Sequence, residues 1–152
     1  MIVKDIMKKA VATSPPEGDL ASVDEIMRER DCGFLPVVDT HGIVVGVVTD
    51  RDVCLVGGTK HRPLARVSVK EAMSHPVFSC FPDENVKAVL ATMAKHRVRR
   101  LPVLNKSGHL EGVLSIDDIV QARQRRGGPT AEEIVNALKG IYASRPIEAV
   151  TA

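Results

Sequence analysis

Two short stretches of the sequence place a hydroxyl group three residues before a carboxylate. Thr49 precedes Asp52, and Ser115 precedes Asp118. A carboxylate can accept hydrogen bonds from both the 2′- and the 3′-hydroxyl of a ribose, and a hydroxyl can donate to a phosphate. The same spacing is also typical of a capping box at the start of a helix, and taken alone it indicates a cap more often than a ligand site. The pattern therefore leaves capping and ligand binding both open.

A second candidate is the cationic run Lys95–Arg100, which contains no acidic residue. Solvated charge at a helix end explains Lys95 and Arg97. Arg99 and Arg100 directly precede an apolar strand, and two arginines held at the start of a strand are suited to bind phosphate. The run therefore predicts an anion site in the second half of the chain.

The elements that must position these residues occur twice. Residues 3–54 align without a gap with residues 69–120, and 14 of these 52 pairs are identical. In this alignment Asp52 matches Asp118, whereas Arg99 and Arg100 match Gly33 and Phe34, so the fold does not require the arginine pair. The chain therefore contains two copies of one supersecondary unit.

Each copy predicts the element order β-α-β-β-α. An extended stretch ends near a proline, an amphipathic helix follows, and two apolar runs joined by a turn form a hairpin before a second helix. We predict extended stretches at 11–14 and 77–80, N-terminal helix caps at Asp19 and Asp83, and second helices that begin at Asp50 and Ile116.

We predict an α/β, α+β-like fold in which the two β-α-β-β-α repeats pack about a pseudo-two-fold axis, with a short C-terminal helix. Paired clefts at that axis would be lined by both copies. The predicted segments are a first repeat at 2–56, a linker at 57–68, a second repeat at 69–124 and a helical tail at 129–143. The tail begins with a capping box at Thr130, and its apolar stripe predicts packing on the repeats or on a dimer mate.

Composition excludes several classes of protein. The 152 residues are 44% hydrophobic with a net charge of +2, and the chain has three Phe, one Tyr and no Trp. So mild a charge and so few aromatic residues argue against a nucleic-acid partner. The longest apolar run is too short to span a membrane, and the N-terminus does not resemble a signal peptide. We therefore expect no membrane partner and a cytoplasmic location.

Catalysis is not indicated by the sequence. The three cysteines have no metal-ligand spacing, and the histidines fall in turns, near helix ends or in the link. We find no activated nucleophile beside a base and no glycine loop for phosphate. We therefore predict no metal site, no catalytic residue and no required cofactor.

The doubled unit, with LPVV and LPVL before the turns and GVVTDRD and GVLSIDD after them, resembles a tandem CBS-domain module, a family named for cystathionine β-synthase. The resemblance covers residues 2–124. It implies binding of adenosine-containing ligands (AMP, ADP, ATP, NAD or S-adenosylmethionine), regulation of a partner protein, and a homodimer formed by the modules. A scaffold that binds proteins without any ligand remains the alternative.

The resemblance also implies two sites, each built from both repeats. In the first site Asp52 would hold the ribose, Thr49 and the arginine pair the phosphate, and three apolar side chains the adenine. The expected residues of this site are Val47, Thr49, Arg51, Asp52, Val77, Phe78, Val98, Arg99 and Arg100.

The second site would use Ser115 and Asp118 in the same way, with Val113 beside the base. It lacks the aligned arginine pair, so we rank it below the first and expect a neutral or less charged adenosine ligand, or none. The expected residues of this site are Val11, Ala12, Cys32, Gly33, Phe34, Val113, Ser115 and Asp118.

Overall fold

A computed structural model describes residues 1–143 of the chain. The first half contains a 3-10 turn at Val3–Asp5, then α1 (Leu20–Glu29), β1 (Phe34–Val38), β2 (Val44–Thr49) and α2 (Asp50–Lys60). The second half contains a 3-10 turn at Leu64–Arg66, then α3 (Val69–Ala72), α4 (Val86–His96), β3 (Arg100–Leu104), β4 (Leu110–Ser115), α5 (Ile116–Ala122) and α6 (Ala131–Ile141). No helix among residues 1–143 has the length and apolar character needed to cross a membrane.

The two predicted hairpins are confirmed, and they are copies of each other. β1 pairs with β2 and β3 with β4, both antiparallel, and the register shifts at the same place in each pair. The turns require glycine, since Gly42 and Gly108 have φ values of 80° and 83°, which favour glycine. Asp39 accepts hydrogen bonds from two backbone N–H groups of the first turn, and Asn105 does the same in the second.

The extended stretches that precede the first helices are shorter than predicted. Ser14 and Cys80 each form a single parallel bridge, to Val37 and Val103 respectively. In the first copy the residues after Ser14 are prolines, which lack the N–H needed to continue a ladder. On this side each two-stranded hairpin therefore has a single bridged residue in place of a third strand.

The cap prediction is correct at Asp19 and wrong at Asp83. Asp19 accepts a hydrogen bond from the backbone N–H of Ser22 at 2.9 Å and begins α1. Helix α4 is instead capped by Asn85, whose side chain accepts from the backbone N–H of Lys87. Asp83 lies in the turn before the helix. The 66-residue repeat aligns Asp19 with Asn85, so the repeat itself carried the correct signal.

The N-terminal segment of each repeat packs on the other repeat. Val3 is fully buried in the hydrophobic core of the second half, and Val69 in the core of the first. Lys8 forms an antiparallel bridge to Val113 of β4, and Ser74 forms the equivalent bridge to Val47 of β2. The two repeats therefore exchange their N-terminal segments about the pseudo-two-fold axis.

The segment predicted as a polar linker is largely structured. Helix α2 continues through Gly57 and Gly58 as far as Lys60. Val67 is 1% exposed and belongs to the core of the first half. This segment therefore packs on the first repeat, and so does Val69, which directly follows it.

The C-terminal helix α6 packs on α4. Its capping box at Thr130 is confirmed, and the buried Ile134 and Ile141 join the second core. Gly140 allows close approach, because a Cβ atom there would lie 2.8 Å from the Cβ atom of Ala94. The apolar stripe was predicted to pack on the repeats or on a dimer mate, and in the structure it packs on the second repeat.

Cys80 and Cys54 are expected to differ in their reaction with iodoacetamide. Burial, and secondarily the Glu84 carboxylate, raises the pKa of the Cys80 thiol to about 12, whereas Cys54 is exposed. Since the thiolate is the reactive form, mildly alkaline iodoacetamide should label Cys54 in the folded protein and Cys80 only after unfolding. Peptide mass mapping checks this. Equal labelling of both in the folded protein would contradict the burial of Cys80.

Candidate functional site

Two clefts lie between the repeats. The first has a cavity volume of about 450 Å³ and the second of about 590 Å³, and both volumes fall in the range typical of small-molecule sites. Each cleft is lined by residues from both halves of the chain. The repeat packing inferred from the sequence therefore does produce paired clefts.

The first cleft brings together the two candidate features of the sequence. Asp52 lies in the first turn of α2 in one repeat. In the other repeat, Arg99 directly precedes β3 and Arg100 is its first residue. All the expected residues of this site except Val77 line the cavity. The lining is Gly33, Phe34, Val47, Thr49, Asp50, Arg51, Asp52, Ser74, His75, Pro76, Phe78, His96, Arg97, Val98, Arg99, Arg100 and Pro102.

The second cleft contains its expected residues apart from Gly33, which lines the first cleft instead. It also contains four cations that we did not expect there: Lys8, Lys9, Arg30 and Arg100. The cleft lacks the aligned arginine pair, as the alignment indicates, but these four cations line it together with the carboxylates of Asp31, Asp117 and Asp118. The lining is Lys8, Lys9, Ala10, Val11, Ala12, Arg30, Asp31, Cys32, Phe34, Arg100, Val113, Ser115, Asp117 and Asp118.

The exchanged N-terminal segments explain the residues that sequence reasoning missed. The bridge between Ser74 and Val47 brings Ser74 and His75 to the first cleft. The bridge between Lys8 and Val113 brings Lys8 and Lys9 to the second. A repeat alignment shows which positions are equivalent, but it does not show which repeat a segment packs against.

The Thr49–Asp52 pair forms the capping box that the spacing allows. The backbone N–H and the hydroxyl of Thr49 donate to Oδ2 of Asp52 at 2.8 and 2.7 Å. The backbone N–H of Asp52 donates in return to the Thr49 hydroxyl at 3.3 Å. A hydroxyl has one proton to donate, and here Asp52 receives it. This geometry favours a role for Thr49 in orienting Asp52 rather than in holding phosphate.

Oδ1 of Asp52 takes no part in these bonds. No other hydrogen bond to Asp52 is found within residues 1–143. An oxygen of this kind has lone pairs available for ligand hydroxyls. The cap and a ligand can therefore use different oxygens of one carboxylate.

The second cleft repeats this geometry with one difference in charge. The backbone N–H of Ser115 donates to Oδ2 of Asp118 at 2.9 Å, and the Ser115 hydroxyl donates to the same atom. Oδ1 of Asp118, however, lies 3.6 Å from the Nζ atom of Lys8. Ser74 occupies the equivalent position in the first cleft. The Asp118 carboxylate of the second cleft therefore has an ion-pair partner, whereas none is found for Asp52 within residues 1–143.

An aromatic pair forms part of the wall of the first cleft. The rings of Phe78 and His96 stack with their centroids 3.8 Å apart and their planes 20° apart. Phe78 is 39% exposed and Val98 lines the same cavity. Flat, partly exposed rings of this kind can stack on a planar base. His96 is the last residue of α4, at the helix end where the sequence places it, and it also lines the cleft.

A metal centre is not part of either cleft as the structure describes them. In residues 1–143, no three His, Cys, Asp or Glu side chains lie close enough together to hold a metal ion. The charged groups that line each cleft are a capping carboxylate, several cations and further carboxylates, Asp50 in the first cleft and Asp31 with Asp117 in the second. This combination suits a ligand with both hydroxyl and anionic groups.

Comparison with known sequences gives matches along most of the chain. The family model described as "CBS domain" matches residues 3–56 and 69–125. The CBS domain-containing protein YhcV of Bacillus subtilis is 32% identical over 117 residues, which cover 77% of this chain and 81% of YhcV. An inosine-5′-monophosphate dehydrogenase of Halobacterium salinarum is 30% identical over 123 residues, which cover 78% of this chain and 23% of that enzyme.

Comparison with solved structures leads to the same family. The CBS domain pair of protein MJ0100, solved in complex with 5′-methylthioadenosine and S-adenosyl-L-methionine, has a TM-score of 0.73 and 26% sequence identity. The match covers 80% of this chain and 94% of that one. Two matched repeats with the same fold show that the chain belongs to the CBS domain family and carries a tandem CBS pair.

Proposed function

We propose that the chain is a regulatory module that binds adenosine-containing ligands in its two clefts and signals their presence to a partner protein. The candidate ligands are AMP, ADP, ATP, NAD and S-adenosylmethionine. One observation carries the proposal: the first cleft combines a capping carboxylate from one repeat, Asp52, with Arg99 and Arg100 from the other. A ligand that contacts both would clamp the repeats together.

The chemistry of the first cleft matches the parts of a nucleotide. Oδ1 of Asp52 accepts from the ribose hydroxyls, the arginines bind the phosphate, and Phe78 with Val98 packs on the adenine. The complex of the MJ0100 domain pair with two adenosine-containing ligands supports this ligand class. We propose the same arrangement for the second cleft, with the ribose at Asp118.

The proposed output passes through a partner. The match to an inosine-5′-monophosphate dehydrogenase covers 23% of that enzyme. This supports a module whose output is carried by a separate part or partner. We also propose that the modules form a homodimer, since Leu55 on α2 and Val120 on α5 are 54% and 41% exposed. Apolar side chains on outer helix faces are suited to contact a second copy.

Ligand binding is expected to raise the melting temperature of the protein. Binding to the folded state alone stabilises it by about 2.7 kcal/mol at a ligand concentration 100 times Kd, and each kcal/mol raises Tm by about 2–4 °C at this chain length. A thermal-shift panel of the five candidate ligands and GTP measures this. No shift with any adenosine compound at millimolar concentration, in a folded protein, would refute the proposal.

A scaffold without a ligand is the second candidate function. It is favoured by the capping boxes, because Asp52 and Asp118 have hydrogen-bond partners within their own helix caps. The two functions differ in how a captured partner protein responds to nucleotide. Capture that changes when AMP is added supports the sensor, and capture that AMP leaves unchanged supports the scaffold.

A further inference from the structure

Phe34 and Arg100 line both clefts. They occupy equivalent positions in the two repeats, as the first residues of β1 and β3. The strand register places Phe34 opposite Thr49 of the first cleft and Arg100 opposite Ser115 of the second. The wall that separates the clefts therefore contains Phe34 from one repeat and Arg100 from the other.

Arg100 differs from the other cations of the clefts. Arg99 lines the first cleft and Arg30 the second, whereas Arg100 lines both. Within residues 1–143 no ion pair or hydrogen bond is found for the Arg100 guanidinium. Arg100 is therefore a residue of both linings whose guanidinium has no internal partner in the part of the chain that the structure describes.

A guanidinium binds phosphate through a planar fork of N–H groups. Each N–H group can donate to one phosphate at a time, so phosphates on the two sides would have to divide the donors of Arg100 between them. A phosphate bound on one side also offsets the positive charge of Arg100, which weakens the attraction of Arg100 for an anion on the other side. Both effects act against a second anion across the same wall.

We propose that Arg100 is shared between the clefts, so that phosphate-bearing ligands in the two clefts weaken each other's binding. This inference rests on the proposed function. Because coupling between two sites is reciprocal, filling either cleft lowers the affinity of the other by the same factor. Adenosine has no phosphate and does not engage Arg100, so it binds the two clefts independently.

Calorimetric titration of AMP into single-cleft variants tests this. Asp52→Ala disables the first cleft and Asp118→Ala disables the second. In the wild-type protein, the second AMP to bind meets a chain whose other cleft is already filled. We expect the variant that keeps only this weaker cleft to bind AMP about fivefold or more tightly than the wild-type protein binds its second AMP. In proteins that also carry Arg100→Gln, this difference should disappear. Adenosine, as a second probe, should show no difference in either background.

Two matched variants separate sharing from the simple loss of a cation. Arg99→Gln and Arg30→Gln each remove an arginine that lines one cleft. Each should weaken AMP binding in its own cleft and leave the coupling factor unchanged. Circular dichroism confirms that all variants are folded.

The outcomes distinguish this inference from the proposed function. If the wild-type chain binds one AMP, and each single-cleft variant also binds one AMP, the clefts are strongly coupled. Three results would overturn the sharing and leave the proposed function standing. The first is two independent AMP sites in the wild-type protein, and the second is AMP binding that only one of the two single-cleft variants retains. The third is coupling that survives Arg100→Gln. No AMP binding by any of these proteins would overturn both.

Discussion

Replacing Asp52 with alanine is expected to weaken AMP binding in the first cleft about a hundredfold or more. The substitution removes the acceptor of two ribose hydroxyl bonds, and hydrogen bonds to a charged group contribute about 1.5–3 kcal/mol each. It also removes the capping box of α2, in which Asp52 accepts from the Thr49 backbone N–H at 2.8 Å. Calorimetry measures the affinity, and urea unfolding measures the stability.

The control for this variant is a cap that lies outside both clefts. Asp19 caps α1 by accepting from the backbone N–H of Ser22 at 2.9 Å, and it lines neither cavity. Asp19→Ala should lose about 1 kcal/mol of unfolding free energy, as is typical for a lost cap, and should bind AMP as the wild-type protein does. If both variants bind AMP normally, Asp52 is a cap alone.

The second large effect concerns the exchange of N-terminal segments. Gly112 faces the crossing segment so closely that an added Cβ atom would lie 2.5 Å from the backbone oxygen of Lys8. That oxygen accepts from the backbone N–H of Val113 at 2.9 Å, so it cannot move without losing the bridge. Gly112→Ala should therefore cost about 1–3 kcal/mol of unfolding free energy, measured by urea unfolding.

Two other glycines provide controls for this prediction. At Gly46, the equivalent position, the nearest atom to a Cβ would be the Sδ atom of Met73, which is the flexible part of a side chain and can shift more easily. At Gly58 in α2 there is open space, so alanine should stabilise the helix by about 0.5–1 kcal/mol. The exchange predicts that Gly112→Ala is the most destabilising of the three. An effect no larger than that of Gly58→Ala would contradict it.

Features set by local spacing could be predicted from the sequence. The hairpins follow from two apolar runs on either side of an Asp or Asn turn that ends in glycine. The helices that begin at Asp50 and Ile116 follow from the capping boxes. The clefts follow from the repeat, because two copies packed about a pseudo-two-fold axis place equivalent residues on opposite sides of a shared wall.

Features that depend on which repeat a segment packs against could not be predicted in the same way. Val3 and Val69 are equally apolar, and nothing local indicates that each is buried in the other repeat's core. The cations of the second cleft were missed for this reason, since Lys8 arrives there on an exchanged segment. Asp83 was a different kind of error, because a strong local cap signal was preferred to the repeat register, which indicates Asn85.

The difference between the clefts also depends on the exchange. Oδ1 of Asp118 has Lys8 at 3.6 Å, whereas the segment that crosses the first repeat places Ser74 at the equivalent position. Within residues 1–143 the Asp52 carboxylate of the first cleft has no ion-pair partner. The second cleft has more cations than its aligned residues indicate, and one of them lies beside its ribose carboxylate.

A crystal structure of the protein with AMP tests the central claim most directly. The account predicts AMP between the repeats, with its ribose hydroxyls within hydrogen-bond distance of Asp52, its phosphate at Arg99 and Arg100, and its adenine against Phe78 and Val98. AMP bound outside both clefts, or clefts that remain empty in crystals grown with millimolar AMP, would contradict it.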